Sequence, residues 1–410
     1  MGRFASAWRG AGRRPGPRAG AAALVAGVAV AVCALGAAGG QEPSAPQPLS
    51  PDQLRAAIDR LGDLDYETRT VASRAVRRAP GVQAVPALLS AVAGHQDGYV
   101  RYRALVLLTG FNDPRAHDVM REVLTSPNDR LRTVAYSFFE HHPDPAMLPE
   151  LLAALDRELA EFVRPALIRA LAVHGDDARV QKALVADAGR GEDFFRSVVI
   201  EALGDYGAQY AFDAIGAIAK LDGPLQDDAA VALGKIGDKR ALATLAGLQR
   251  TAPRARQPSI AAAICLLGVN CGSHEHYLIE TLTFADRNPG FQDLLRSAAS
   301  GLAALGVRGR ASAGEALFEI GIPSRDPTRA PVALALATIA LRNTALMMDI
   351  LDRAPRRPEA VTLLAEGFDM LEEDFDKERF FAFARRTFWA SDEGSPTRDL
   401  MQTLIGKLDF

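Results

Sequence analysis

Cysteine, histidine and glutamate gather in one short segment, residues 265–276. Cys265 and Cys271 are six residues apart with Gly268 between them, and Ser273-His-Glu-His276 follows at once. Thiols at this spacing could form a disulfide in an oxidising compartment, or they could remain two free thiols. Converging thiolate and imidazole groups would suit a metal. The interpretation favoured here is a polar loop that opens a helix, with Ser273 as its N-cap.

Glu140-His141-His142 is a second histidine cluster, and Pro143-Asp144-Pro145 after it is typical of a helix end. No Ser-His-Asp or Cys-His arrangement stands out. Gly301-Leu-Ala-Ala-Leu-Gly306 lies inside a predicted helix and lacks the preceding strand of a dinucleotide-binding turn. The sequence therefore predicts no catalytic residue, no metal ligand, no cofactor-binding residue and no cofactor.

Arginines recur at spacings of 32, 31, 32 and 32 residues, and each precedes an apolar stretch; they are Arg69, Arg101, Arg132, Arg164 and Arg196. A period held over five copies predicts stacked supersecondary units. Such a column could bind carboxylates or phosphates. We favour a structural ladder in which the arginines pair with turn aspartates of neighbouring units, among them Asp113, Asp177 and Asp238. Asp238 and Arg240 are expected to serve the same stack.

The elements that position these residues are predicted to be pairs of helices. Apolar residues recur at the i, i+3, i+4 and i+7 positions of an amphipathic helix, and Gly, Asp, Asn and Pro separate the helices. The predicted pairs are 97–110 with 114–125, 128–140 with 145–158, 161–174 with 177–188, 193–204 with 208–220, 224–236 with 240–250, 257–268 with 275–284, 291–305 with 311–320, and 327–341 with 344–353. This pattern predicts an all-α fold, a right-handed α-solenoid of about ten helical hairpins whose second helices form an extended inner surface.

The stretch Ala232-Leu-Gly-Lys-Ile-Gly-Asp-Lys-Arg-Ala-Leu242 resembles the signature of the short HEAT-like repeat first named for phycobilisome lyases, and the segments 112–116 and 175–179 are similar to its turn. The resemblance covers residues 52–355 and implies an armadillo-type solenoid. Its relatives include scaffolds, lyase subunits, a metal-dependent hydroxylase and DNA repair proteins. Those hydroxylases use several His-Glu pairs in separate repeats, whereas His274-Glu275 is the one such pair in this sequence.

The N-terminal region has the pattern of an export signal. Residues 1–18 are rich in arginine, an apolar run fills 19–38, and small residues follow. Residues 1–40 are therefore predicted to be a signal, cleaved after Ala38 or Gly40, or an inner-membrane anchor formed by 19–38. In both cases the rest of the chain is expected outside the cytoplasmic membrane. Residues 41–51 are predicted to be a proline-rich linker.

The C-terminal region, 356–410, is less regular and concentrates aromatic residues. We expect degenerate repeats and a cap that covers the last apolar face of the solenoid. The alternative is a partner-binding aromatic patch, for which the candidates are Phe380, Phe381, Phe388 and Trp389.

The net charge of the chain indicates which class of partner it can bind. Without the five arginines of residues 1–40, the chain has 42 basic and 50 acidic residues, a net charge of −8. This balance argues against nucleic acid as the main partner. The sequence predicts a non-catalytic scaffold or adaptor that binds a protein partner in the periplasm or after secretion, with membrane contact only through an uncleaved N-terminal segment. The alternative is an enzyme or enzyme subunit of the lyase or metal-hydroxylase type.

Overall fold

The computed structural model describes residues 47–410, which form helices and short turns without a β-strand. The predicted signal or anchor at 1–40, and linker residues 41–46, lie outside the described residues. Within the described part, no helix combines the length and hydrophobicity that crossing a bilayer requires. The helices are α1 (Pro51–Asp59), α2 (Tyr66–Arg78), α3 (Gly81–Gly94), α4 (Gly98–Thr109), α5 (Arg115–Val123), α6 (Asp129–His141), α7 (Leu148–Arg157), α8 (Arg164–Ala172), α9 (Ala178–Ala188), α10 (Asp193–Asp205), α11 (Phe212–Ala219), α12 (Gln226–Ile236), α13 (Ala241–Thr251), α14 (Gln257–Leu266), α15 (Cys271–Arg287), α16 (Gln292–Val307), α17 (Ala311–Gly321), α18 (Arg329–Arg342), α19 (Thr344–Arg353), α20 (Arg357–Met370), α21 (Asp374–Ala390) and α22 (Pro396–Leu408).

Polar side chains and glycines define where these helices begin and end. Asp97 accepts a hydrogen bond from the Tyr99 amide at the start of α4, and Asn128 does the same for α6. Such N-caps satisfy amides that have no partner inside the helix. At the end of α12, Gly237 adopts φ = 82°, a left-handed conformation that glycine adopts without strain. The two-helix units predicted from 97 to 353 are confirmed.

The helices stack in two rows. We call the even-numbered helices α2 to α18 the first helices and the odd-numbered helices α3 to α19 the second helices. Each first helix packs on the next one along the chain, as α6 does on α8 and α12 on α14. Gly234 allows the close approach of α12 to α14, since a Cβ there would lie 2.6 Å from the Cα of Ala263. The first helices therefore carry most of the apolar core of the solenoid.

The interior of the solenoid is lined by the first helices, so the predicted inner surface of second helices is wrong. Arg308, after the end of α16, donates to the carbonyl oxygens of Gly204 and Lys235 on α10 and α12, at 3.2 and 2.7 Å. Arg342 of α18 lies 3.8 Å from Glu140 of α6. Units far apart in sequence meet through these side chains because the stack curves tightly.

The last three helices complete the described chain. Helix α20 continues the row of first helices by packing on α18. Helix α21 enters the interior and packs on α4, α6 and α18, and α22 lies against α19, α20 and α21. Phe375, Phe380 and Phe388 of α21 are buried. Helix α21 therefore fills the interior groove that the first helices would otherwise leave open.

Candidate functional site

Three acidic side chains of α21 lie at alternate positions and face the first helices. Asp376 and Glu378 are buried, and Asp374 is half-buried. Each one meets a basic side chain of a different unit; the pairs are Asp374 with Arg103 of α4 at 2.8 Å, Asp376 with His141 of α6 at 2.9 Å, and Glu378 with Arg77 of α2 at 2.8 Å. This acidic row fixes α21 inside the solenoid.

The pair of Arg77 and Glu378 joins the first units of the solenoid to the last. Arg77 donates from Nε to both carboxylate oxygens of Glu378, at 3.1 and 2.8 Å, and both side chains are almost fully buried. Arg385 of α21 donates to the backbone carbonyl of Arg77. Burial lowers the pKa of Arg385 to about 10. Arg74 and Asp409, at 2.8 Å, form a second link nearer the surface, so the stack closes on itself.

A buried charge network lies between α6, α8, α10 and α12. Glu140 accepts hydrogen bonds from Arg169 at 2.8 Å and from the Tyr206 hydroxyl at 2.7 Å. Arg169 also donates to Asp205 at 2.8 Å, and Lys235 donates to the other Asp205 oxygen at 2.6 Å. Burial alone would raise the pKa of Asp205, but Lys235 and Arg169 bring it well below its usual value. Each buried charge is thus paired, as the interior of a protein requires.

A second network connects α6, α18 and α21. Asp376 lies 3.4 Å from Arg342 and 3.0 Å from Arg379, in addition to His141. Burial would raise the pKa of Asp376, yet Arg342 and His141 lower it on balance. Glu373 also pairs with Arg342, at 3.2 Å, and burial raises the pKa of Glu373. In each network two carboxylates face two arginine or lysine side chains, and the contact of Arg342 with Glu140 at 3.8 Å joins the two networks.

These networks form the floor of a cavity of about 590 Å³. Its walls are the C-terminal ends of α4, α6, α10, α16 and α18, the start of α19, and one face of α21. The hydroxyls of Thr109 and Thr344 line it, but each donates to a carbonyl of its own chain segment, Val106 and Ala340. Arginine and carboxylate groups dominate the remaining polar lining, and this favours binding of a charged group over nucleophilic catalysis.

The arginine column lies near the start of the first helices, yet it does not form the predicted ladder of Arg–Asp pairs. Arg101 donates to the carbonyl oxygen of Val92 at 2.8 Å, and Arg196 donates to that of Ala188 at 3.1 Å. Both acceptors lie in the last turn of the preceding second helix, where carbonyls have no partner within the helix. Arg69 in the same way donates to carbonyls of the turn before its own helix.

Two members of the column differ in detail. Arg132 donates to the Ser126 carbonyl and also forms a bidentate pair, at 2.7 and 2.9 Å, with Glu158, which ends the second helix of the same unit. The guanidinium of Arg164 lies 3.5 Å from the ring centre of Phe195, a cation–π contact. The column therefore joins successive helices by capping their ends. Its carboxylate partners are Glu158 for Arg132 and, within the same helix, Asp193 for Arg196.

The turn aspartates instead pair inside their own turns. Asp238 accepts from the Arg240 amide at 2.9 Å and from its guanidinium at 2.8 Å. The same geometry recurs where Asp113 pairs with Arg115 and where Asp177 pairs with Arg179. Hydrogen bonds from Arg115 lower the pKa of Asp113 to about 2. The Asp-x-Arg sequence closes these three turns between a first and a second helix, and its aspartates do not reach the arginine column.

Cys265 and Cys271 are brought together and form a disulfide, with their Cα atoms 4.1 Å apart. Ser273 is not the N-cap that the sequence predicts. Helix α15 already begins at Cys271, and its N-cap residue Asn270 has a positive φ of 44°. The tight return of the chain between the cysteines moves the helix start four residues towards the N-terminus.

The His-Glu-His segment lies within α15. Buried Glu275 pairs with Arg310 and accepts from the Ser312 hydroxyl. His276 lies 3.1 Å from Glu280 on the same helix, and burial lowers the pKa of His274. Residues 47–410 contain no group of three or more His, Cys, Asp or Glu side chains that could hold a metal ion.

The four aromatic candidates for a partner surface do not share one. Phe380 and Phe388 are each 1% exposed. Phe381 stacks on Phe410, with ring centres 4.2 Å apart, and Trp389 alone of the four is exposed. The aromatic patch is therefore wrong for Phe380 and Phe388, because α21 lies inside the solenoid and buries them.

The residue pattern does not predict the buried charge networks, although the sequence contains one signal for them. Arg169 has apolar neighbours on both sides in Pro-Ala-Leu-Ile-Arg-Ala-Leu, Arg103 precedes the apolar stretch 104–108, and Arg342 ends the apolar stretch 331–341. A charge on the apolar face of a helix requires a buried partner. The sequence does not show that the partners come from residues 373–378.

The comparisons with known proteins identify the repeat. Residues 51–140 and 85–172 match the family model of HEAT repeats, and these overlapping stretches span α1 to α8. No curated protein matches the chain in sequence.

Solved structures with a similar fold include the complex of CpcE and CpcF of phycocyanin lyase from Nostoc sp. PCC7120, 17% identical over 79% of this chain and 96% of that chain, with a TM-score of 0.27. The karyopherin Kap121p is also similar. Bound to the extreme C-terminus of the protein phosphatase Cdc14p, it is 13% identical over 87% of this chain and 46% of its own, with a TM-score of 0.31. In its complex with Nup53p, Kap121p is 13% identical over 88% of this chain and 42% of its own, with a TM-score of 0.25. At these TM-scores the similarities carry no functional inference for this chain.

Proposed function

We propose that this α-solenoid, in which residues 51–172 match HEAT repeats, is a non-catalytic scaffold that holds a protein partner along one outer edge, outside the cytoplasmic membrane. HEAT solenoids offer long, continuous surfaces to partners. Here α21 occupies the interior through the pairs with Arg77, Arg103 and His141. A partner is therefore expected on a surface that α21 leaves open.

The observation that carries this proposal is a row of exposed large apolar side chains. They lie in the turns that precede first helices or at the first helical residue, and we call them the docking edge: Leu64, Tyr66, Leu159, Phe162, Leu221 and Phe291. Leu159 is 86% exposed and Leu221 is 62% exposed. Since the first helices all start at the same edge of the solenoid, these side chains project from that edge. Repeated exposed apolar groups are typical of an interaction surface.

The charges beside the docking edge indicate what kind of partner fits. Glu67, Asp193 and Asp293 lie in the first turns of α2, α10 and α16 and are exposed, and the two aspartates pair with Arg196 and Arg296 of their own helices. Acidic residues are favourable at helix N-termini, and here they alternate along the edge with the apolar groups. We therefore expect a protein segment whose apolar side chains fill the edge and whose polar groups of both signs meet these paired charges.

The proposed location rests on two features. The arginine-rich start and apolar run of residues 1–40 are typical of an export signal. The pairing of Cys265 with Cys271 suits an oxidising compartment. Fractionation of cells that make the full chain with a C-terminal tag is expected to recover it from the periplasmic or membrane fraction. Recovery from the cytoplasm alone contradicts this location.

The docking edge is tested by capture of the partner with matched variants. Leu159→Ser with Leu221→Ser removes two apolar groups from the edge. Val82→Ser with Met370→Ser removes two exposed apolar groups elsewhere, at 86% and 43% exposure. The edge variant is expected to lose at least tenfold of the captured protein, while the control keeps it, because well-placed apolar contacts dominate interfaces. Both variants should unfold at the wild-type denaturant midpoint. Equal capture by the two variants excludes the edge as the binding surface.

A further inference from the structure

The cavity at the C-terminal ends of the first helices has the size of a small-molecule site. Its volume of about 590 Å³ falls within the range of roughly 300–1,000 Å³ that ligand sites occupy. It is open to solvent on one side, while its floor is the buried network around Glu140, Arg169 and Asp376. The docking edge lies at the opposite ends of the first helices, so this cavity is a separate feature.

The charges of the cavity do not balance. Five arginines line it, whereas the carboxylates that line it are Glu140, Asp205 and Asp376; the arginines are Arg169, Arg308, Arg342, Arg379 and Arg386. Lys235, Glu373 and Glu201 stand behind these residues, and together they carry one net negative charge. The lining residues carry a net charge of about +2, and the groups behind them reduce the sum to about +1, with the histidines neutral.

The excess charge resides on Arg308 and Arg386. Arg308 donates hydrogen bonds from Nη2 to the carbonyl oxygens of Gly204 and Lys235. It has no carboxylate partner in residues 47–410. Arg386 is exposed and forms no hydrogen bond or ion pair with another described residue. The carbonyl ends of the surrounding helices would repel an anion. Arg308 offsets two of those carbonyls directly and keeps its other N–H groups for a ligand.

The remaining walls suit an uncharged part of a ligand. Val307, Leu341 and Phe383 supply apolar surface beside the arginines. Helix α19 also begins at the cavity with Thr344. Asn343 Oδ1 accepts from the Leu346 amide at 3.2 Å, which leaves the amides of Thr344 and Ala345 as the first-turn donors without an acceptor within the helix. An anionic head with an apolar body would thus meet donors on one side and hydrocarbon on the other.

We propose that this cavity binds a small organic anion, a phosphate or carboxylate group on an apolar body, with Arg308 and Arg386 holding the anionic group and Phe383 packing on the rest. The guanidinium group suits this task because its N–H groups match the oxygens of carboxylate and phosphate in pairs.

The test measures binding of defined probes to the full chain by calorimetry in 150 mM salt. The probes are phenyl phosphate and benzoate, which separate phosphate from carboxylate preference, with benzylamine as a cation of similar size. At least one anion is expected to bind saturably, and benzylamine is expected not to bind. Arg386→Gln should weaken the anion roughly tenfold, the equivalent of one charge-assisted hydrogen bond.

Two controls keep the outcome decisive. Arg386 makes no contact that the fold needs, so Arg386→Gln is expected to keep the wild-type unfolding midpoint. Arg121→Gln removes an exposed arginine of α5, on the outside of the solenoid, and should leave anion binding unchanged. The absence of saturable anion binding, or the same loss in both variants, overturns the proposal.

Discussion

Replacement of Glu378 by alanine is expected to weaken the joint between the first and last units of the solenoid. Glu378 is 1% exposed and receives three short contacts from Arg77, at 2.8 to 3.1 Å. The substitution leaves the Arg77 guanidinium buried without a counter-charge, with Arg385 beside it. Removal of one partner from a buried ion pair costs about 3–5 kcal/mol. We expect a loss of unfolding free energy in that range.

The assay is urea unfolding followed by circular dichroism, together with small-angle scattering of the folded variant. Glu319→Ala is the matched control, since Glu319 is exposed on α17. The radius of gyration should increase for Glu378→Ala, because α21 loses its anchor on α2, and it should stay constant for the control. The double variant Arg77→Met with Glu378→Leu should recover most of the lost stability, since a buried ion pair can often be replaced by apolar side chains.

Two results would refute this reasoning. If Glu378→Ala unfolds at the same urea concentration as Glu319→Ala, the joint contributes nothing measurable to stability. If the double variant is as unstable as Glu378→Ala alone, an orphaned charge is not the cause of the loss. A variant that loses stability without a change in radius would mean that α21 stays in place through its other contacts.

Three further predictions concern single positions. Burial raises the pKa of Asp227 to about 6, so its contribution to stability is complete below about pH 4 and is lost as the pH rises through 6. At pH 7.5, Asp227→Asn should therefore raise the urea midpoint, by an amount worth less than about 1 kcal/mol because the carboxylate is 38% exposed. A gain in stability at pH 4 instead of pH 7.5 would contradict this sign. Gly234→Ala should lower the free energy of unfolding by about 1–3 kcal/mol, since the new Cβ would overlap the backbone of the next first helix. Gly247 has open space around it, so Gly247→Ala should raise the free energy of unfolding by about 0.5–1 kcal/mol. Equal effects of the two variants in thermal melts would disprove the close packing at Gly234. Thiol titration of the purified chain 41–410, denatured without reductant, should find Cys265 and Cys271 unreactive. Reductant should lower the free energy of unfolding by about 2 kcal/mol. Two reactive thiols would rule out the disulfide.

Local residue patterns predicted the repeating unit well. The turn Gly237-Asp238-Lys-Arg240 marks where α12 ends and α13 begins, and its contacts are all within a few residues. The start of α15 was missed because it depends on the return of the chain between Cys265 and Cys271. Boundaries set by local caps and glycines are therefore readable, and boundaries set by a cross-link are less so.

The side chains of the candidate sites were harder to place. Arginine at a fixed position of each unit predicted a ladder, yet Arg101 and Arg196 bind backbone carbonyls, which no residue pattern displays. Phe380 and Phe388 were candidates for a surface because aromatic residues near a chain end can be exposed. They are buried because α21 turns back into the interior.

The sequence by itself determined the helices, their pairing into units and the stacking of small residues such as Gly234, because these depend on periodicity and on neighbours within about one repeat. Only the tertiary structure decided that Arg77 meets Glu378 and that His141 meets Asp376, 301 and 235 residues apart. The curvature of the stack is the sum of small rotations between units, and it alone brings the first and last units together. The charged interior and its cavity follow from that closure.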